Sequence, residues 1–173
     1  YMDVDLSTDL KSLPPLVAAI ADDGYEVAIG SRLTKGSEVV DRTLKREITS
    51  RGYNIMIHMF FPLTKWKDAQ CGFKAISRRT AENLLPLVKD NAWFLDTELL
   101  ILADKAGYGI KEIPVHWEDD PDTRVNIIST AWEDIKGLLR LRFKGRPVPP
   151  STPCPLICTV ARAGYLRSCS TEL

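Results

Sequence analysis

The chain has 173 residues, 45% hydrophobic and 27% charged, an ordinary balance for one globular domain with a core of normal size. Its 23 basic and 23 acidic residues cancel, which argues against a nucleic-acid binder driven by net charge and leaves any phosphate ligand to local cations. No apolar run approaches the roughly 20 residues of a membrane helix, and Asp3, Asp5 and Asp9 interrupt any signal-peptide pattern at the start.

In chain order, residues 1–5 read as the end of a buried strand with nothing ahead of it to pair with. Ser12 precedes Pro14, Pro15 and an apolar stretch, a helix start with proline in its first turn that ends near Gly24. Residues 26–30 form a short buried strand, and 31–41 a polar loop. A helical pattern runs from 44 to 60 and stops before Pro62. A strand at 72–76, helices at 79–85 and 96–106, a strand at 110–115 and a helix at 131–141 follow. Strands alternating with helices predict an α/β layer structure. From 147 to 173 the composition turns to Pro, Ser, Thr and Cys, and this stretch reads as a poorly ordered tail. The cysteines, Cys71, Cys154, Cys158 and Cys169, fit no zinc spacing with His58 and His116 and read as reduced thiols of a cytosolic protein.

Four constellations carry chemistry. Asp3 and Asp5 stand two apart in a strand, so both carboxylates face one way and suit Mg²⁺ or Mn²⁺; an Asp-x-Asp turn or cap is the plain alternative. Gly30-Ser31-Arg32 closes a strand at the edge where open α/β sheets bind ligands, and the arginine fork suits phosphate. Arg46, Ser50 and Asn54 are spaced by four and make a polar stripe on one helix face. Beside Ile48, Ile55, Met56, Met59 and Phe60 that stripe fits a phosphate carrying a lipid tail, or simply an amphipathic helix on a core. Asp68 and Asp96 are acidic residues at element ends, where a catalytic carboxylate or a helix cap sits. Arg124, in the charged loop 119–124, is a further phosphate contact or a solvated residue.

Taken together and in this order, MDVDLSTD, AIGSRL, KREITSRGYN, DAQCGFKAISR, WFLDTELL and GYGIKEIPVHWEDDPDTRV resemble the family 2 glycosyltransferases. The nearest group is the polyprenyl- and dolichyl-phosphate glucose and mannose synthases, and the likeness spans about residues 1–140. It implies a GT-A, Rossmann-like fold, here its C-terminal portion over residues 1–146, with helices packed on a mixed sheet. It further implies inverting transfer of a hexosyl group from a nucleotide sugar to a polyprenyl phosphate at the cytoplasmic face of a membrane, by a peripherally attached enzyme. DAQCGFK with WFLDTELL resembles the glucosyl type, so UDP-glucose is the preferred donor and GDP-mannose the second.

Carried onto this chain, Asp3 and Asp5 hold the metal against the donor diphosphate, and Arg32 faces the same phosphates. Arg46 and Ser50, with Asn54 beside them, hold the lipid phosphate, and Arg124 closes over it. Asp96 falls where many family 2 members keep their base carboxylate, and Asp68 and Arg32 are further catalytic candidates. A phosphate monoester is mostly ionised at neutral pH, so the acceptor needs positioning more than deprotonation. Ser7 stands where mannosyl-type synthases often carry a glutamine, which puts a third metal-side ligand in doubt. The family's first half, with the nucleotide-base contacts, is expected to be absent. That leaves a second expectation for the isolated chain, a non-catalytic remnant or a lipid-phosphate or partner-binding module.

Overall fold

In a computed structural model, residues 1–3, 7–40, 44–118 and 127–143 are described. The proposed tail, 147–173, lies outside them. So do Cys154, Cys158 and Cys169.

The fold is α/β, with helices on both faces of a mixed sheet, as expected. The central strand β1 (Val27–Ser31) lies between β3 (Lys74–Ile76), which runs antiparallel to it, and β4 (Ile110–Pro114), which runs parallel. Every residue of β1 is buried, as a strand covered on both faces must be. Its side chains alternate between two cores. Val27 and Ile29 join Tyr53, Ile57, Leu99 to Ala103, Leu138 and Leu141 on one face. Ala28 joins Leu16, Ala19, Phe73, Val115 and Trp117 on the other.

The first core is covered by α2 (Leu44–Phe60), α4 (Leu95–Ala106) and α5 (Ile127–Phe143), the second by α1 (Leu13–Ala21). Pro14 and Pro15 fall in the first turn of α1, where missing N–H groups cost nothing. Gly107 ends α4 in the left-handed conformation, φ 81°, which a side chain resists. A seven-residue helix, α3 (Arg78–Leu84), is capped by Ser77, whose hydroxyl accepts from Thr80 N.

Three expectations need correction. The polar loop 31–41 contains a strand, β2 (Glu38–Val40), paired in parallel with β5 (His116–Glu118). Three-residue strands with alternating exposure carry too little apolar periodicity to stand out from a loop. The strand expected at 110–115 is β4, which ends at Pro114, and β5 follows it in the second sheet. The last helix begins at Ile127, four residues before its apolar pattern is evident. The opening segment does pair: Met2 bridges Phe73 antiparallel, with Asp3 N donating to Gly72 O at 2.8 Å and Lys74 N to Tyr1 O at 3.0 Å.

Candidate active site

At the carboxyl end of β1 the chain passes from Gly30 to Arg32 beside the start of β3. Gly30 must be small: a Cβ there would lie 2.9 Å from Val115 Cγ1 and 3.1 Å from Cys71 Sγ. Arg32 is then clamped by Asp68. Its Nε donates to Oδ2 at 2.8 Å, one terminal nitrogen to Oδ1 at 2.9 Å, and its backbone N–H to Oδ2 at 3.0 Å. The guanidinium also lies over the Trp117 ring, 4.8 Å from its centroid. Asp68 is fully buried. Burial alone would push its carboxyl up; the Arg32 charge and hydrogen bonds, helped by Lys74, outweigh that and hold it below the usual range.

The loop carrying Asp68 is fixed by side chains from two elements. Glu112 on β4 accepts from Lys67 N at 2.9 Å and Asp68 N at 3.3 Å, and Asn54 on α2 accepts from Ala69 N at 3.2 Å. The Asn54 amide donates to Ser50 O at 2.9 Å, so this residue's polar groups tie α2 to the Asp68 loop. Ser50 is half-buried on the same helix face. Arg46 belongs to α2, but its side chain, like all of Asp5 and Arg124, lies outside the described residues.

Asp3 lies against Gly72 and Asp96 against Lys74, at the start of β3. A Cβ on Gly72 would fall 1.9 Å from an Asp3 carboxylate oxygen, so glycine at 72 is what admits the Asp3 side chain. Asp96, in the first turn of α4, accepts from Lys74 Nζ at 2.7 Å and from the Tyr1 hydroxyl, both on Oδ1. The Cys71 thiol, beneath the cluster, is raised to about 11, first by burial and then by Asp68; it is an inert core group, as expected.

Of the residues singled out from sequence, Asp3, Arg32, Asp68 and Asp96 therefore gather at one end of the sheet, with Ser50 and Asn54 on the adjoining helix. Lys74 was missed. Its signal was present, since strand alternation in GFKAI places a lysine on a face that α/β layering covers, and a buried lysine needs a partner.

Among the described residues no three His, Cys, Asp or Glu side chains form a metal cage. Carboxylate oxygens are the hard ligands that Mg²⁺ or Mn²⁺ takes together with substrate phosphates and water.

No family model matches the chain. Glycosyltransferase AglD of Haloferax volcanii is 42% identical over 138 residues, covering 80% of this chain and 21% of that protein. Dolichyl-phosphate beta-glucosyltransferase of Dictyostelium discoideum is 28% identical over 148 residues, 83% of this chain and 45% of that one. The Saccharomyces cerevisiae protein of the same name is 30% identical over 139 residues, 79% and 38%. The chain thus spans between about a fifth and a half of the length of these relatives. Over that shared stretch, it belongs to the glycosyltransferase family that includes the dolichyl-phosphate beta-glucosyltransferases.

Proposed function

We propose that this protein transfers a hexosyl group, glucose by preference, from a nucleotide diphosphate sugar to a polyprenyl phosphate, with inversion at the anomeric carbon. UDP-glucose is the favoured donor and GDP-mannose the second. The observation that carries this reading is the convergence of Asp3, the Arg32–Asp68 clamp and the Lys74–Asp96 pair at the carboxyl edge of the sheet, within a chain related to sugar transferases.

In this reading Asp3 and Asp5 hold Mg²⁺ or Mn²⁺. When bound, the metal supplies charge stabilisation to the departing nucleoside diphosphate. Arg32, aimed by Asp68 and backed by Trp117, faces the same phosphates. Asp68 is thus a positioning residue, since its carboxylate is buried against Arg32. Arg46 and Ser50, with Arg124, receive the acceptor phosphate, while Asn54 shapes the site by holding the Asp68 loop. Orientation of an already ionised acceptor supplies most of the catalysis, and Asp96 lines the place of transfer.

Membrane contact is peripheral, at the cytoplasmic face. Among the described residues no helix is long and apolar enough to cross a bilayer. Leu44, Ile48, Ile55 and Met59 of α2 are exposed and lie within an arc of about 60° at 100° per residue, a stripe suited to lying in the lipid interface.

Incubating the protein with Mg²⁺ or Mn²⁺, labelled UDP-glucose and polyprenyl phosphate tests the proposal. Labelled glycolipid that disappears on Asp3→Asn is expected. No transfer from either UDP-glucose or GDP-mannose would overturn it.

A further inference from the structure

Lys74 is a buried charge that none of the roles above uses. Its side chain is 0% exposed and that of its partner Asp96 is 24% exposed. An ammonium has three donors, and each has a destination. One meets Cys71 O at 2.5 Å, one meets Asp96 Oδ1 at 2.7 Å, and the remaining side faces the Tyr1 ring at 5.6 Å from its centroid. A cation so enclosed cannot reach a ligand. Nor does a buried ion pair earn its place through stability, because desolvation offsets most of the attraction.

The asymmetry of Asp96 gives the pair a purpose. Lys74 and the Tyr1 hydroxyl both bind Oδ1, and Oδ2 takes neither bond. With Oδ1 anchored twice the carboxylate's rotation is restricted, and Oδ2 is left for another partner on a side chain that is 24% exposed. The charge matters as much as the geometry. Both substrates of the proposed reaction are phosphates, and a carboxylate facing them would repel them. A cation 2.7 Å behind it cancels that field while leaving its acceptor oxygen in place.

We propose that Lys74 is a positioning residue of the transfer site, which anchors Asp96 through Oδ1, neutralises its field, and so presents Oδ2 to a hydroxyl of the bound sugar. This rests on the reading of the protein as a sugar-phosphate transferase. The arrangement predicts that Lys74 acts through Asp96 and not through the substrate.

Two measurements test it. In the full protein, with UDP-glucose as donor and polyprenyl phosphate as acceptor, Lys74→Met is expected to lower kcat at least about tenfold. Lys74→Arg should restore most of the loss, and Lys74→Met should add less than about twofold in an Asp96→Asn background. Equal kcat losses from Lys74→Met in both backgrounds would overturn the proposal, because a merely structural lysine acts independently of Asp96. The second measurement needs no activity and no substituted lysine. In ¹⁵N–¹H spectra of the chain, the Lys74 ammonium is expected to be protected from exchange and to shift on Asp96→Asn. A freely exchanging ammonium would overturn the proposal on its own. A protected ammonium with no sugar transfer by the wild type would instead count against the transferase reading alone.

Discussion

Gly72 has no side chain where the Asp3 carboxylate lies, and a methyl group there would stand 1.9 Å from one of its oxygens. Gly72→Ala must therefore expel Asp3 or part the opening segment from β3. The strain is of the overpacking kind, about 1–3 kcal/mol, and is concentrated on the proposed metal ligand. Transfer activity should fall at least about tenfold, with the Mg²⁺ requirement moving to higher concentration while the thermal midpoint drops only a few degrees. An unchanged Mg²⁺ titration would show that Asp3 does not hold the metal. Asp68 gives a prediction of a different kind. Its carboxyl is held below its ordinary range in the folded protein, so folding favours the ionised form. That contribution is complete above the unfolded value of about 3.9 and is lost as pH falls through the folded one. Urea midpoints of wild type and Asp68→Asn should differ most at neutral pH and converge below about pH 4. A difference that stayed constant down to pH 2 would contradict the ion pair as its source.

The same logic with the opposite sign applies where helices α2, α4 and α5 meet. Glu98 on α4 is buried and accepts from Lys89 N, Asp90 N and Arg140 of α5, which fixes the segment leading into the first turn with Asp96. Gly137 of α5 lets the helix lie on the Phe94 ring, since a Cβ would come within 2.3 Å of it. Asp134, one turn earlier, is buried, and its Oδ1 has no hydrogen-bond partner among the described residues. Burial, then Asp90 and Glu133, raise its carboxyl to about 6. The folded state thus binds a proton more readily than the unfolded state, stability falls as pH rises from about 4 to 6, and the cost is fully present above that window. Asp134→Asn should raise the melting temperature at pH 8 by a few degrees and leave it nearly unchanged at pH 4; a lower midpoint at pH 8 would refute this. At this scale the sequence was readable where periodicity was long. The bounds of α2 match the apolar and proline signals, and β1 and α4 lie within a residue of expectation. Pairs of three-residue strands leave no such trace, and β2 and β5 appear only once Val39 meets Trp117. Among site residues, Arg32 and Asp68 were visible as types, but their mutual clamp spans 36 residues of sequence, and spacing says nothing of such a contact. Lys74 escaped because its partner is likewise remote.

Across the whole molecule, α2 joins the two halves of the proposed reaction. Its inward face carries Tyr53 and Ile57 into the core and Asn54 onto the Asp68 loop, while Ser50 stands half-buried beside them. The opposite face carries the apolar stripe outward, with Leu44 76% and Met59 78% exposed. The sequence left open whether that greasy side was ordinary core. The structure divides it: Ile48, Ile55 and Met59 are exposed, while Met56 and Phe60 pack on the core. A helix so arranged can rest on a bilayer while its inner face adjoins the site, which shortens the path of a lipid phosphate leaving the membrane. Full burial of one large apolar side chain is worth about 1.5–3 kcal/mol, so replacing two on the stripe should cost at least tenfold in partitioning. Ile48→Glu with Met59→Glu is the informative pair, because both side chains are exposed and their loss should alter stability little. In flotation with phospholipid vesicles the wild type should rise with the lipid and the double variant should stay with the soluble fraction. Transfer to a polyprenyl phosphate embedded in vesicles should fall in parallel, while transfer to a short, water-soluble polyprenyl phosphate should be preserved. Equal flotation of the two proteins would mean that the stripe does not meet the membrane. Loss of both transfer reactions would instead mean that the substitutions damage the site itself.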